Sequence, residues 1–289
     1  MTNLDLRPLS LGEILDRTFS LYRQHFVLFV GITALPQLFV LAIDFARLWL
    51  RGGPIARVAG VGGAPVGPFG ALAPLDVLLA LFIFAGVYVV VHPFASGGVV
   101  FAVSEIYFGR ATTIGASLRR SWSQLGRLLP VFLVSLIAIS SGILFFLVPG
   151  IYVACRLITC VPAALLENFG TRDTLERSLV LTQHNAGRSF VIFLLYYCLI
   201  ATASGLLVYP FSYAAGLCAR DQAMVLMWLS LAQLGGYLAG ILVHPILTIG
   251  ATVFYYDLRV RKEALDLQLL MNQTVGVESQ TAGVPPTLA

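Results

Sequence analysis

Charge is what this sequence has least of. Asp, Glu, Lys and Arg make up 11% of its 289 residues, against about 25% in an ordinary soluble domain. A chain that is 58% hydrophobic cannot cover itself with so little polar surface, so lipid must be its main solvent. Lysine occurs once, at Lys262; the other cations are arginines, and most flank apolar stretches. That placement speaks for membrane topology rather than nucleic-acid binding. Catalytic motifs are missing as well. There is no G-x-S-x-G, no H-E-x-x-H and no P-loop, and none of His25, His92, His184 and His244 stands beside an acid. Neither an enzyme nor a cofactor is expected. The four cysteines, Cys155, Cys160, Cys198 and Cys218, form no C-x-x-C pair and have no histidine at ligand spacing. They read as packing residues rather than zinc ligands or disulfide partners. Met1–Leu15 carries Asp5, Arg7 and Glu13 and has no apolar h-region, so no cleaved signal peptide is expected.

What is present is a series of long apolar runs. About 20 apolar residues cross a bilayer. Six runs qualify: Val27–Leu50, Asp76–Phe108, Leu129–Val148, Ile151–Leu166, Ser189–Tyr209 and Ala223–Asp257. Two of them are too long for one perpendicular crossing. The first of these contains His92-Pro93 and Gly97-Gly98, the second Gly235-Gly236 and His244-Pro245, which predicts a kink or break in each. Pro36 predicts a kink in the first span, where Asp44 and Arg47 share a face and can pair. Pro149-Gly150 predicts a tight turn, and Pro210–Gln222 a short polar loop. Arg51–Pro74, rich in Gly, Pro, Ala and Val, reads as a flexible loop. Residues 271–289 read as a disordered cytoplasmic tail. Its sequon, Asn272-Gln273-Thr274, means little on that side.

Six spans put both termini on one side. The segments before Val27, over Gly109–Leu128, over Glu167–Arg188 and after Asp257 hold 13 of the 18 Lys and Arg; the opposite loops hold Arg51, Arg57 and Arg220. The positive-inside rule makes both termini cytoplasmic.

A five-residue box is written three times: Leu15-Asp16-Arg17-Thr18-Phe19, Leu118-Arg119-Arg120-Ser121-Trp122 and Leu175-Glu176-Arg177-Ser178-Leu179. Each copy precedes an apolar run. The first lies on a stretch, Leu9–Phe26, with helical apolar spacing and a Ser10/Glu13 capping box; Thr171 to Thr174 can cap the third. Such helices can lie in the headgroup plane or pack on the bundle. The returning spans also match. Twelve residues separate Pro93 from Glu105 and Pro245 from Asp257, and the middle return ends at Glu167 with Cys155-Arg156 at about the depth of the His-Pro pairs. The expected fold is all-α: a polytopic helical bundle of about six transmembrane helices plus amphipathic interfacial helices, arranged as a degenerate threefold repeat. One membrane domain, residues 1–270, holds the three units, about 9–108, 109–167 and 168–263.

Two groups of residues carry candidate chemistry. Arg17, Arg120 and Arg177 form an inner-surface belt with Glu105, Glu167 and Asp257. The arginines can hold anionic lipid headgroups, or pair with the acids and anchor the helices. His92, Arg156 and His244 lie within apolar spans, where charge is costly and faces protein or water. Twelve helical residues rise about 18 Å, which puts both histidines past the midplane. With Arg156 they would form a polar layer suited to an anion. The plainer alternative is that each histidine bonds a carbonyl freed by its neighbouring proline.

The run Leu6-Arg7-Pro8-Leu9-Ser10-Leu11-Gly12-Glu13-Ile14-Leu15-Asp16-Arg17-Thr18-Phe19-Ser20-Leu21-Tyr22-Arg23, the segment Pro149-Gly150-Ile151-Tyr152 with Arg156, Glu167-Asn168, and Tyr255-Tyr256-Asp257-Leu258-Arg259-Val260-Arg261-Lys262-Glu263 resemble the membrane domain associated with glycerophosphoryl diester phosphodiesterases. The resemblance runs from Leu6 to about Leu270. In some members that domain is fused to a phosphodiesterase domain. The chain leaves no room for that domain and lacks its His and acid motif, so the resemblance implies a stand-alone membrane domain. The expected function is a non-catalytic integral membrane protein that binds or organises membrane lipid or a partner protein. The alternative is a transporter or channel with a polar pathway at the repeat interface.

Overall fold

A computed structural model describes residues 8–52, 74–167, 169–218 and 221–263, with side chains for all of these except 44–52, 74–85, 87 and 222. The expected Arg51–Pro74 loop, the Asp44–Arg47 pair, Asn168, Arg220 and the tail with its sequon lie wholly or largely outside that description. The chain is an all-α polytopic bundle, with six helical segments long and apolar enough to cross a membrane among the described residues. The helices among the described residues are α1 (Leu11–Gln24), α2 (Phe26–Gly52), α3 (Pro74–Tyr107), α4 (Ile114–Ser123), α5 (Leu125–Phe145), α6 (Leu147–Leu157), α7 (Cys160–Leu166), α8 (Thr171–Leu181), α9 (Ala186–Leu207), α10 (Tyr209–Leu217) and α11 (Gln222–Glu263).

The three boxes fall on α1, α4 and α8, and each helix buries the same positions. Ile14 and Thr18, Ser117 and Ser121, and Thr174 and Ser178 are the matching buried pairs, four residues apart and so on one face. The box hydroxyls make bonds that suit a helix packed on another helix. Ser121 donates to the Phe94 carbonyl at 2.7 Å, and Ser178 to the Arg156 carbonyl at 2.9 Å. Thr18 donates to its own Ile14 carbonyl and packs against Gly250. The contacts close a ring: α4 rests on α3, α8 on α7, and α1 on α11. Each box helix therefore covers the preceding returning span, and the first box covers the last. One core cluster draws Ile14, Phe29, Val99, Ala163, Ile192 and Phe254 from around that ring.

Local signals explain several helix ends. Ser10 and Glu13 form the expected capping box of α1, at 2.6 and 3.3 Å. Thr113 caps α4 through the Ala116 amide. The expected Thr171 cap is not formed; Gly170 is the N-cap of α8, and Thr174 donates to its carbonyl instead. Gly109, with φ +70, closes α3 in the left-handed region that glycine tolerates.

Three expectations are corrected. First, of the expected kink or break the break is absent: α3 and α11 continue as helix through Pro93 and Pro245, over 34 and 42 residues. At about 1.5 Å per residue they are about 51 and 63 Å long, well beyond an apolar layer of about 30 Å. The carbonyl that Pro245 frees, Ile241 O, accepts the Thr33 hydroxyl at 3.1 Å, so the helix continues without an orphaned acceptor. Second, the turn between the third and fourth spans lies at extended Phe146, not at Pro149-Gly150. Pro149 sits in the first turn of α6, where its missing N–H leaves no bond unmade. Gly150 lets α6 approach α5, since a Cβ there would meet the Ile143 backbone. Third, Pro210–Gln222 is mostly helix: Pro210 opens α10.

Candidate functional site

The belt residues separate into three clusters at the box end of the bundle. Arg120 donates to Glu105 at 2.7 Å, with Arg110 a further 3.6 Å contact, and the Arg120 guanidinium lies 4.6 Å from the centre of the Phe101 ring. Arg177 grips Glu167 with two bonds, 2.7 and 3.1 Å, and also meets Glu263. Arg259 completes that cluster beside both acids, and Tyr255 donates to Glu167 at 2.6 Å. Burial works against the Arg177 charge, yet hydrogen bonds and attraction from Glu167 and Glu263 hold its pKa above the ordinary arginine value.

The third expected pair is not made. Asp257 has a fully buried side chain and takes Arg188 at 2.9 Å, Arg261 at 2.9 and 3.1 Å, and the Leu9 amide at 2.7 Å. Arg188 and Arg261 also donate to the Leu9 carbonyl. Arg17 lies over the Tyr107 ring instead, 4.8 Å from its centre. The physical reason is competition. Arg261 sits one helical turn from Asp257, and Arg188 starts α9 beside it, so the carboxylate is saturated before Arg17 can reach it.

Arg120 and Arg177 are expected to differ in weight. Arg120 is 56% exposed and Arg177 23%. Removing Arg120 as alanine should cost no more than about 1 kcal/mol. Removing Arg177 takes a two-bond partner from the buried Glu167 and a cation from the partly buried Glu263, and should cost about 3 kcal/mol. Detergent melting curves of the two alanine variants check this; equal shifts would contradict it.

The intramembrane layer is partly assembled. His92 and His244 meet, Nδ1 to Nε2, at 3.2 Å, and Tyr196 Oη lies 2.8 Å from His244 Nδ1. Between two imidazoles one nitrogen must donate and the other accept. Tyr196 donating to His244, and His244 donating through Nε2–H to His92, satisfies both contacts with neutral rings. Ser96 donates to the His92 carbonyl at 2.9 Å. The histidines therefore bond each other rather than proline-freed carbonyls, which corrects the plainer alternative.

Arg156 is not in this group. Its guanidinium donates to Thr182 Oγ1, Tyr152 Oη and the Leu179 carbonyl at 3.1, 2.9 and 2.5 Å, while its own carbonyl accepts Ser178 and Thr182. It latches α6 to the end of α8. The expected three-residue layer reduces to a histidine pair, because the middle returning segment breaks at Ile158–Thr159 and turns Arg156 toward its own box helix.

The pair borders a cavity of about 570 Å³. Its walls follow helical spacing: Tyr88, His92 and Ala95 on α3, Tyr196 and Ile200 on α9, and Gln233, Tyr237, Gly240 and His244 on α11, with Gln37 and Val40 from α2. Gly236 and Gly240 leave room where side chains would otherwise fill the face. Among the described residues no Asp, Glu, Lys or Arg lines it. Tyr88, Tyr196, Gln37 and Gln233 were not singled out by sequence reasoning. Their signal was a polar tip inside an apolar run, which is weak for tyrosine and stronger for the two glutamines. No group of three or more His, Cys, Asp or Glu that could hold a metal ion occurs among the described residues. Comparison of the chain with protein-family models, with curated proteins and with solved structures finds no match, so the reading of these sites rests on the residues themselves.

Proposed function

We propose that the chain is a non-catalytic membrane protein that binds an amphiphilic membrane lipid in the cavity beside His92 and His244. The observation that carries this reading is the lining: a mostly apolar wall on which the His92–His244 pair stands with Tyr88 and Tyr196, with two glutamine amides elsewhere on the same wall. Such a site favours a neutral, hydrogen-bonding group on an apolar chain. It offers no fixed charge among its described residues for an ion to exploit. The box end, with most of the arginines, is the cytoplasmic side of a bacterial inner membrane in this reading. The resemblance to the phosphodiesterase-associated membrane domain fits a lipid-handling membrane module.

Transport is the second reading, favoured by one observation: the two histidines share a cavity rather than separate helix contacts. One experiment addresses both. Wild-type and His244→Ala protein are purified in mild detergent, and their bound lipids are identified by mass spectrometry. The expected result is a specific lipid whose occupancy falls about tenfold in the variant, the size of one or two lost hydrogen bonds in a dry site. Identical lipid profiles would defeat the lipid reading. A water-soluble solute enriched only in the wild type would replace it with transport.

A further inference from the structure

The threefold logic leaves one arginine out. Arg120 and Arg177 each have the acid of the returning span beneath them. Arg17, the third member, has the Tyr107 ring and, among the described residues, no carboxylate. It borders a second cleft, of about 640 Å³, between α1 and the turn that joins α3 to α4. Ser20, Gln24 and His25 wall it from α1, and Arg110 and Thr112 from the turn; none of the described residues lining it is acidic. Two guanidiniums, an imidazole, an amide and the hydroxyls of Ser20, Tyr107 and Thr112 line one space; the Gln24 amide donates to Ser20 at 3.1 Å, and the Thr112 and Ser117 hydroxyls lie 3.1 Å apart. Gly109, at φ +70, gives the tight turn that brings Arg110 around.

We propose that this cleft binds a phosphate group, carried as a phosphomonoester or phosphodiester. The geometry supports this on three counts. Arginine presents a planar fork of donors that fits phosphate oxygens. The cleft carries positive charge that no lining acid neutralises. It also lies at the box end, where the spans emerge and a lipid phosphate would sit. Glu105, at 3.6 Å from Arg110, is shared with Arg120 and leaves Arg17 untouched. The proposal is independent of the histidine cavity, so its failure would leave that reading standing.

The test uses the full chain in mild detergent. Native mass spectrometry titrates it with short-chain dihexanoyl phosphatidylglycerol, and separately with glycerol 3-phosphate and inorganic phosphate. Variants are Arg17→Gln, Arg17→Lys, and Arg172→Gln as a charge-matched control, since Arg172 is paired with Glu176 away from the cleft. Arg17→Gln should weaken binding about tenfold, Arg17→Lys less, and Arg172→Gln less than twofold. A lipid-only response assigns the site to a headgroup. A response to the soluble phosphates as well assigns it to the phosphate group itself. Melting curves of Arg17→Gln should match wild type, because among the described residues its side chain makes a ring contact and no ion pair. Wild-type affinity in Arg17→Gln, or an equal loss in Arg172→Gln, would overturn the proposal.

Discussion

Replacing Asp257 by alanine is expected to lower the melting temperature by about 10 °C or more and to deplete the protein from membranes. The side chain is fully buried and is the common partner of Arg188, Arg261 and the Leu9 amide. Deleting it leaves two guanidiniums facing each other with only the Leu9 carbonyl between them, and an amide with no acceptor. Breaking a buried pair by removing one member costs about 3–5 kcal/mol, because the remaining charge stays desolvated. Here two charges remain. A typical domain has only about 5–15 kcal/mol in total, so the loss is large. The damage should also be specific. Leu9 precedes the capping box of α1, so loss of the cluster frees the start of the helix that closes the ring on α11. Asp257→Asn keeps an acceptor and should fall between wild type and alanine. Arg261→Gln should be milder than either, because Arg188 still neutralises the carboxylate. Fluorescence-detected size exclusion with a temperature ramp gives the ordering. A wild-type midpoint for Asp257→Ala would refute this account of the cluster.

The same cluster shows what the sequence could and could not reveal. The recurrence of the boxes was legible because each copy has to present the same buried hydroxyl and the same outward arginine. The spacing from proline to acid was legible for a similar reason: twelve helical residues carry a fixed rise. Which acid each arginine reaches was not legible. That depends on competitors from elsewhere in the chain, and Arg188 and Arg261 are distant from Arg17 in sequence but adjacent to Asp257 in space. Arg156 makes the same point. Sequence spacing placed it at about the depth of the histidines, but its direction depends on the break at Ile158–Thr159, which no proline or glycine marks. The turn at Phe146 is also unmarked, while Pro149 and Gly150 carry turn-like residues and use them for an N-terminal helical turn and a close helix approach. The histidine pair was half legible. Two His-Pro motifs at equal distances from their acids implied equal depth, and equal depth on adjacent helices permits contact without requiring it.

Two neighbouring glycines provide the sharpest test of the packing that makes the cavity. Gly235→Ala is expected to destabilise the protein by about 3 kcal/mol or more, whereas Gly236→Ala should be neutral or stabilising by up to about 1 kcal/mol. Both residues lie in α11, so the intrinsic helix preference of alanine over glycine favours both changes equally. Their surroundings differ. A Cβ on Gly235 would overlap the Leu207 carbonyl, a backbone group at the end of α9 that no rotamer change can move. Relief requires α9 and α10 to shift as a body away from α11. A Cβ on Gly236 meets only Val208 Cγ2 at 3.7 Å, an ordinary contact, and it faces the cavity that His92 and His244 border. Gly236→Leu extends the argument from packing to binding. It should fold with a near-native midpoint, fill the space beside Tyr237 and Gly240, and displace the proposed lipid while leaving both histidines in place. That separates loss of room from loss of hydrogen bonding, which His244→Ala alone cannot do. Gly235→Ala melting at or above wild type would show that α9 does not rest on α11 at this glycine. Full lipid occupancy in a folded Gly236→Leu protein would show that the ligand lies elsewhere than the cavity.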